Sequence, residues 1–122
     1  MPVVKLYCLP HINEKKMNEM YEMITKTIAG IKELKITTDD ITVLFVPDMM
    51  EKGLGDEIIV EVSKVLDKPD RTLTVIYKIA ESLARAIWVF VCSWEYKLPH
   101  RVEVFVEVFG NPQKTALWTA QR

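Results

Sequence analysis

The chain has little of what would classify it at a glance. It carries only two cysteines, Cys8 and Cys92. They form no CxxC pair and no zinc-ligand spacing. They read as reduced core residues of a cytosolic protein. Charge of one sign is missing as well: 16 Lys and Arg stand against 17 Asp and Glu, a formal net charge of −1. This balance excludes a general nucleic-acid binder but leaves single basic residues free to hold a small anion. Long hydrophobic runs are also absent. The first apolar stretch breaks at Pro10 and does not read as a signal peptide. Residues 86–92 are apolar but far shorter than the roughly 20 residues needed to span a bilayer. No metal or organic cofactor site is visible.

What is present describes one soluble domain. The chain has 122 residues, 49% hydrophobic and 27% charged, enough for a single core. The first eight residues, Met1-Pro2-Val3-Val4-Lys5-Leu6-Tyr7-Cys8, are the most informative. A small second residue permits removal of Met1, which would leave Pro2 as a secondary amine at the start of a strand. Proline is tolerated there. Partial burial penalises the charged amine and lowers its pKa, which makes it a general base or nucleophile near neutrality.

The rest of the chain alternates two periodicities. Residues 3–9 read as a strand ended by Pro10. Asn13 caps a helix whose stripe is Met17, Met20, Tyr21, Ile24, Ile28 and Ile31, ending near Lys35. A turn at residues 37–40 leads into a second strand, 41–46. The loop 47–56 has Pro47, Gly53 and Gly55 as breakers, yet Met49, Met50 and Leu54 make it too apolar for a freely exposed turn. Residues 57–65 form a third strand. Thr72 or Asp70 caps a second helix, apolar through Trp94 beyond what one sheet face needs, which suggests burial at a subunit contact. Leu98-Pro99-His100 turns into a fourth strand, 101–109, with the four valines 102, 104, 106 and 108 on one face. Residues 111–122 read as a short tail whose Trp118 docks onto the body.

The order strand–helix–strand occurs twice, in pseudo-repeats at about 2–47 and 57–110. The expected fold is α/β (α+β): duplicated β-α-β units in one domain spanning 1–122, forming a four-stranded mixed sheet with both helices on one face. The uncovered sheet face calls for oligomerisation.

In this layout the chain resembles the tautomerase superfamily, and within it the group of macrophage migration inhibitory factor and D-dopachrome tautomerase. The likeness rests on Met1-Pro2 leading straight into a strand, on Val46-Pro47-Asp48 before a Met/Gly loop, and on Arg101-Val102 opening the last strand before a tail with Trp118. The resemblance implies a cytoplasmic homotrimer with Pro2 at the base of pockets between subunits. It implies keto–enol tautomerisation of a small carboxylate-bearing acid, or a related decarboxylase or hydratase reaction, without a cofactor. Lys35 then corresponds to the substrate-binding lysine before the second strand, with a one-residue offset. Lys64 stands where the group carries an apolar residue, and Arg71 is a third candidate cation. Glu103 and Phe105 occupy the positions of a pocket tyrosine and asparagine. Glu103 would need a partner such as Lys64, and Phe105 would supply an apolar wall. Two other readings stay open: a non-catalytic binding or signalling protein on the same fold, and a ferredoxin-like regulatory domain with the same element order but an antiparallel sheet. Neither a nucleic acid nor a membrane is expected as partner.

Overall fold

A computed structural model describes residues 2–52, 57–93 and 99–121. Met1, Gly53, Leu54, Gly55, Trp94 and Leu98, all used above, lie outside the described residues.

The strands are β1 (Val3–Tyr7), β2 (Thr42–Val46), β3 (Glu57–Val65), β4 (Arg101–Val108) and β5 (Asn111–Gln121), and the helices are α1 (Glu14–Ala29) and α2 (Leu73–Cys92). The strand order is β2-β1-β3-β4-β5. β1 pairs with β2 in parallel across α1, and β3 with β4 in parallel across α2. The two βαβ units meet where β1 and β3 run antiparallel. The duplicated layout therefore holds, and the parallel pairs overturn the antiparallel ferredoxin-like alternative. The four-stranded count is corrected to five. The expected tail is the edge strand β5, paired antiparallel with β4. It follows a tight turn at Phe109-Gly110, where Gly110 takes φ +77°. Only glycine adopts that conformation without cost. Trp118 does dock, as a β5 residue opposite Val104.

Alternation along the strands separates the two sheet faces. Val4, Leu6, Ile58, Val60, Val62 and the valines 102, 104, 106 and 108 are buried with α1 and α2 residues in one core. Ile76, Ile79, Leu83 and Ile87 of α2, together with Met20, Ile24 and Ile28 of α1, supply the helical side. Lys5, Glu61, Phe105 and Leu117 alternate onto the other face, hereafter the outer face.

Local chemistry sets the element ends. The Asn13 carboxamide accepts a 2.8 Å hydrogen bond from the Lys16 N–H, and the Thr72 hydroxyl accepts from the Val75 N–H. Both satisfy a donor orphaned at a helix start. α1 stops at Ala29, not near Lys35, because Gly30 caps it and a separate 3-10 turn, Lys32–Leu34, follows. A second 3-10 turn is closed by Asp40, whose carboxylate accepts from the Thr37 N–H and hydroxyl at 2.8 and 3.2 Å. Tyr21, expected in the α1 stripe, is 41% exposed.

Candidate functional site

Pro2 is buried at the mouth of β1, an interior strand between β2 and β3. Its carbonyl accepts a 3.0 Å hydrogen bond from the Thr42 N–H, so the β1–β2 ladder extends one residue beyond Val3. Proline fits because this position needs no N–H of its own. On its other side Val3 faces Ser63, the last pair of the β1–β3 ladder, and Lys64 follows Ser63 in the chain.

Lys64 is held in an unusual way. The β3–β4 register shifts between Val62 and Val65, and Lys64 takes φ +61° within that irregularity. The left-handed backbone of a non-glycine residue costs about 1–2 kcal/mol. Beyond it the Phe109 N–H donates to the Val65 carbonyl at 2.8 Å, and the Phe109 ring lies 5.3 Å from the Lys64 ammonium. An exposed cation–π contact of this kind is worth about 0.5–1 kcal/mol and leaves the charge accessible.

The other candidate cations at this end already have partners. Lys35, at φ +53°, forms a 2.7 Å ion pair with Asp70 in the loop before α2. The hydrogen bond to Asp70 raises the Lys35 ammonium above its usual range, and the same bond lowers the Asp70 carboxyl. Arg71 is only 3% exposed. Its guanidinium donates to the Leu66 carbonyl at 2.8 Å and to the Leu34 carbonyl at 3.1 Å. It therefore ties the exit of β3 to the loop after α1 and does not face solvent as a surface residue would. Asp67 completes the bracing: it accepts from Lys114 at 2.7 Å and from Asn111 at 3.1 Å, which anchors the start of β5 and holds its carboxyl below the usual range.

Glu103 and Phe105 lie elsewhere. Glu103 shares a row with Ile59 and Tyr7, and Phe105 with Glu61 and Lys5. Tyr7 is five residues along β1 from Pro2, about 17 Å at the rise of a strand. Within one chain these two side chains do not meet Pro2. Glu103 is partnered by Arg101, not by Lys64: its carboxylate accepts from the Arg101 Nε at 2.7 Å. Arg101 Nη2 reaches Glu57 at 3.1 Å, so one guanidinium bridges two carboxyl groups. The carboxyls also hydrogen-bond each other. That bond pushes the Glu103 pKa up and, with Arg101, holds Glu57 down. The cluster is one that local reasoning missed. Glu57 and Arg101 each open a strand, but only the parallel β3–β4 register sets them side by side. Nearby, the Tyr7 hydroxyl donates to Glu61 at 3.4 Å. Burial, then Asp48 and Glu57, push the Cys8 thiol up, which favours its protonated form. Both cysteines are free. Among the described residues no group of His, Cys and carboxylates could hold a metal ion, and no helix is long and apolar enough to cross a membrane.

The fold of paired βαβ units is shared with solved structures. A fused 4-OT wild-type asymmetric trimer, 4-OT being 4-oxalocrotonate tautomerase, matches with a TM-score of 0.60 at 7% identity, over 88% of this chain and 85% of its own. Pt0534 inactivated by 2-oxo-3-pentynoate matches with a TM-score of 0.59 at 9% identity, over 89% of this chain and 88% of its own. A fused 4-OT wild-type symmetric trimer matches with a TM-score of 0.58 at 10% identity, over 88% and 85%. The chain thus has the tautomerase fold, an α+β architecture of two helices on a five-stranded mixed sheet. No family model matches it, and no curated protein does.

Proposed function

We propose that this protein is a tautomerase-type isomerase acting on a small keto acid, with the Pro2 amine as general base once Met1 is removed. The observation that carries the reading is Pro2, buried at the start of the interior strand β1, at the end of the sheet where Lys64 follows the last β1–β3 pair, Val3 and Ser63. The proline nitrogen takes a proton from the carbon next to the substrate carbonyl. The C–H electron pair becomes the new C=C bond, and the carbonyl pair moves to oxygen as the enolate. The prolinium then returns its proton to that oxygen, giving the enol. Lys64 is the cation placed to hold the substrate carboxylate, because Lys35 and Arg71 are committed to Asp70 and to two carbonyls. Charge placed in advance where an enolate develops is the main source of rate in such chemistry.

The outer sheet face is covered in this reading by further copies of the chain, in a cytoplasmic homotrimer. Glu103 and Phe105 would then reach a neighbour's Pro2, as the resemblance to the migration inhibitory factor group implies. A non-catalytic binding role on the same fold is the second reading, supported by the engagement of Glu103 with Arg101.

The test is the intact mass of the purified protein, followed by enol–keto turnover of phenylpyruvate by the wild type and Pro2→Ala. A mass without Met1 and turnover lost in the variant support the base. Retained methionine leaves an amide nitrogen, which cannot take a proton, and would leave only the binding reading.

A further inference from the structure

The outer face carries an electrostatic problem that assembly has to solve. Its strand positions hold Lys5 and Arg101 against four carboxylates, Glu57, Glu61, Glu103 and Glu107. With Lys64 at the rim, the face is left one negative charge in excess. Between these charges stand Leu44, Ile59, Phe105 and Leu117, of which Leu44, Phe105 and Leu117 are 44%, 40% and 49% exposed. Apolar side chains of this size favour burial, whereas unbalanced carboxylates resist it.

We propose that self-association through this face takes up one proton per chain, held between Glu57 and Glu103 beside Arg101. The proposal rests on the assembly reading above. The geometry for it exists before any partner arrives. The Glu103 side chain is 18% exposed, and Arg101 lies 2.7 Å from Glu103 and 3.1 Å from Glu57, so one guanidinium gathers both carboxyls. One guanidinium neutralises one of the two carboxylates, and the second is neutralised most simply by the proton that joins them. Among the described residues, other elements supply no further cation at this spot. β1 contributes Tyr7, whose hydroxyl is engaged with Glu61, and Cys8 follows it. β3 contributes Glu61. β5 presents Thr119 opposite Glu103 and Gln121 opposite Arg101, both uncharged. Asp48 adds negative charge near Cys8. Covering the cluster removes water and favours the neutral carboxyl further. The assembled state therefore binds more protons than the free chain, and association weakens as pH rises.

Sedimentation velocity of the full chain at constant ionic strength, from pH 5 to pH 8, tests this with the wild type, Glu103→Gln and Glu57→Gln. The amide of Glu103→Gln can donate to Glu57 as a protonated carboxyl does, without a titration. The wild-type association constant should fall with rising pH, by up to about tenfold per pH unit for each proton released. Glu103→Gln should stay assembled throughout, and Glu57→Gln gives the same readout if the first variant folds poorly. A wild type equally assembled at every pH, or variants that dissociate as it does, would overturn the proton linkage and leave the assembly reading standing. A monomer at every pH overturns both.

Discussion

The two ends of the sheet solve the same problem differently. At the Pro2 end charges are paired off in the loops: Lys35 with Asp70, Lys114 with Asp67, and Arg71 with two carbonyls. What remains is a buried proline and Lys64, whose ammonium lies over the Phe109 ring. At the Arg101 end the charges stay on the sheet itself, where two carboxyls compete for one guanidinium. The first arrangement leaves a quiet frame around Pro2. The second leaves one carboxyl in excess on the sheet. Under the two proposals above, the braced end serves chemistry and the flat charged face serves a partner surface.

The largest effect is expected at Pro2. Pro2→Ala should lower kcat/KM for the keto acid by about 10²–10⁴-fold, the usual share of a positioned general base, with far-UV circular dichroism unchanged. Equal activity would remove the chemical role of that end. Arg71→Ala comes next. It strips two charge-assisted hydrogen bonds from buried carbonyls and should cost about 2–4 kcal/mol in urea unfolding. A loss under about 0.5 kcal/mol would mean that the bracing is incidental.

Lys64→Gly separates strain from function. Glycine relieves the left-handed backbone at residue 64, so stability should rise by about 0.5–1 kcal/mol. The lost cation should raise KM about tenfold, as expected for one charge contact of roughly 1.4 kcal/mol. An unchanged KM would return the substrate-binding role to Lys35 or to a neighbouring chain.

The smallest effect is in acid. The Asp67 and Asp70 carboxyls are held low by hydrogen bonds from Lys114 and Lys35. A depressed folded pKa gives stability that is present above the unfolded value, near pH 3.9, and is lost as pH falls through the folded value. Asp70→Asn should therefore flatten the acid limb of the stability curve below about pH 4 and leave it unchanged near pH 7 apart from a constant offset. An unaltered acid limb would show that the Lys35–Asp70 pair does not stabilise the fold.

Much of this fold was legible in advance because it is written in local periodicity. The alternation of valines 102–108 marked the buried face of β4, and the helical spacing of Met20, Ile24 and Ile28 marked that of α1. Asn13 and Thr72 announced their helices because a cap acts within three residues. β5 was missed for the opposite reason. Its exposed positions Thr115, Leu117 and Thr119 mix polar and apolar side chains, and Pro112 and Gln113 lead into it. An edge strand covered on one face gives a weak pattern. The early end of α1 was also hidden, since Ile31 and Leu34 continue a helical spacing although the chain has passed into a 3-10 turn.

Local pattern alone marked four of the five strands and both helices, the proline before the first strand, and the repeat of the βαβ unit. These follow from neighbours a few residues apart. Only the tertiary structure decided which charges share a site. Antiparallel pairing of β3 with β1 brings Ser63, the residue before Lys64, opposite Val3, and parallel pairing across α2 sets Glu57 beside Arg101. A register shift of a single residue would send each of these side chains to the opposite face. That choice is made by the packing of the whole sheet against its helices, and no short stretch of chain contains it.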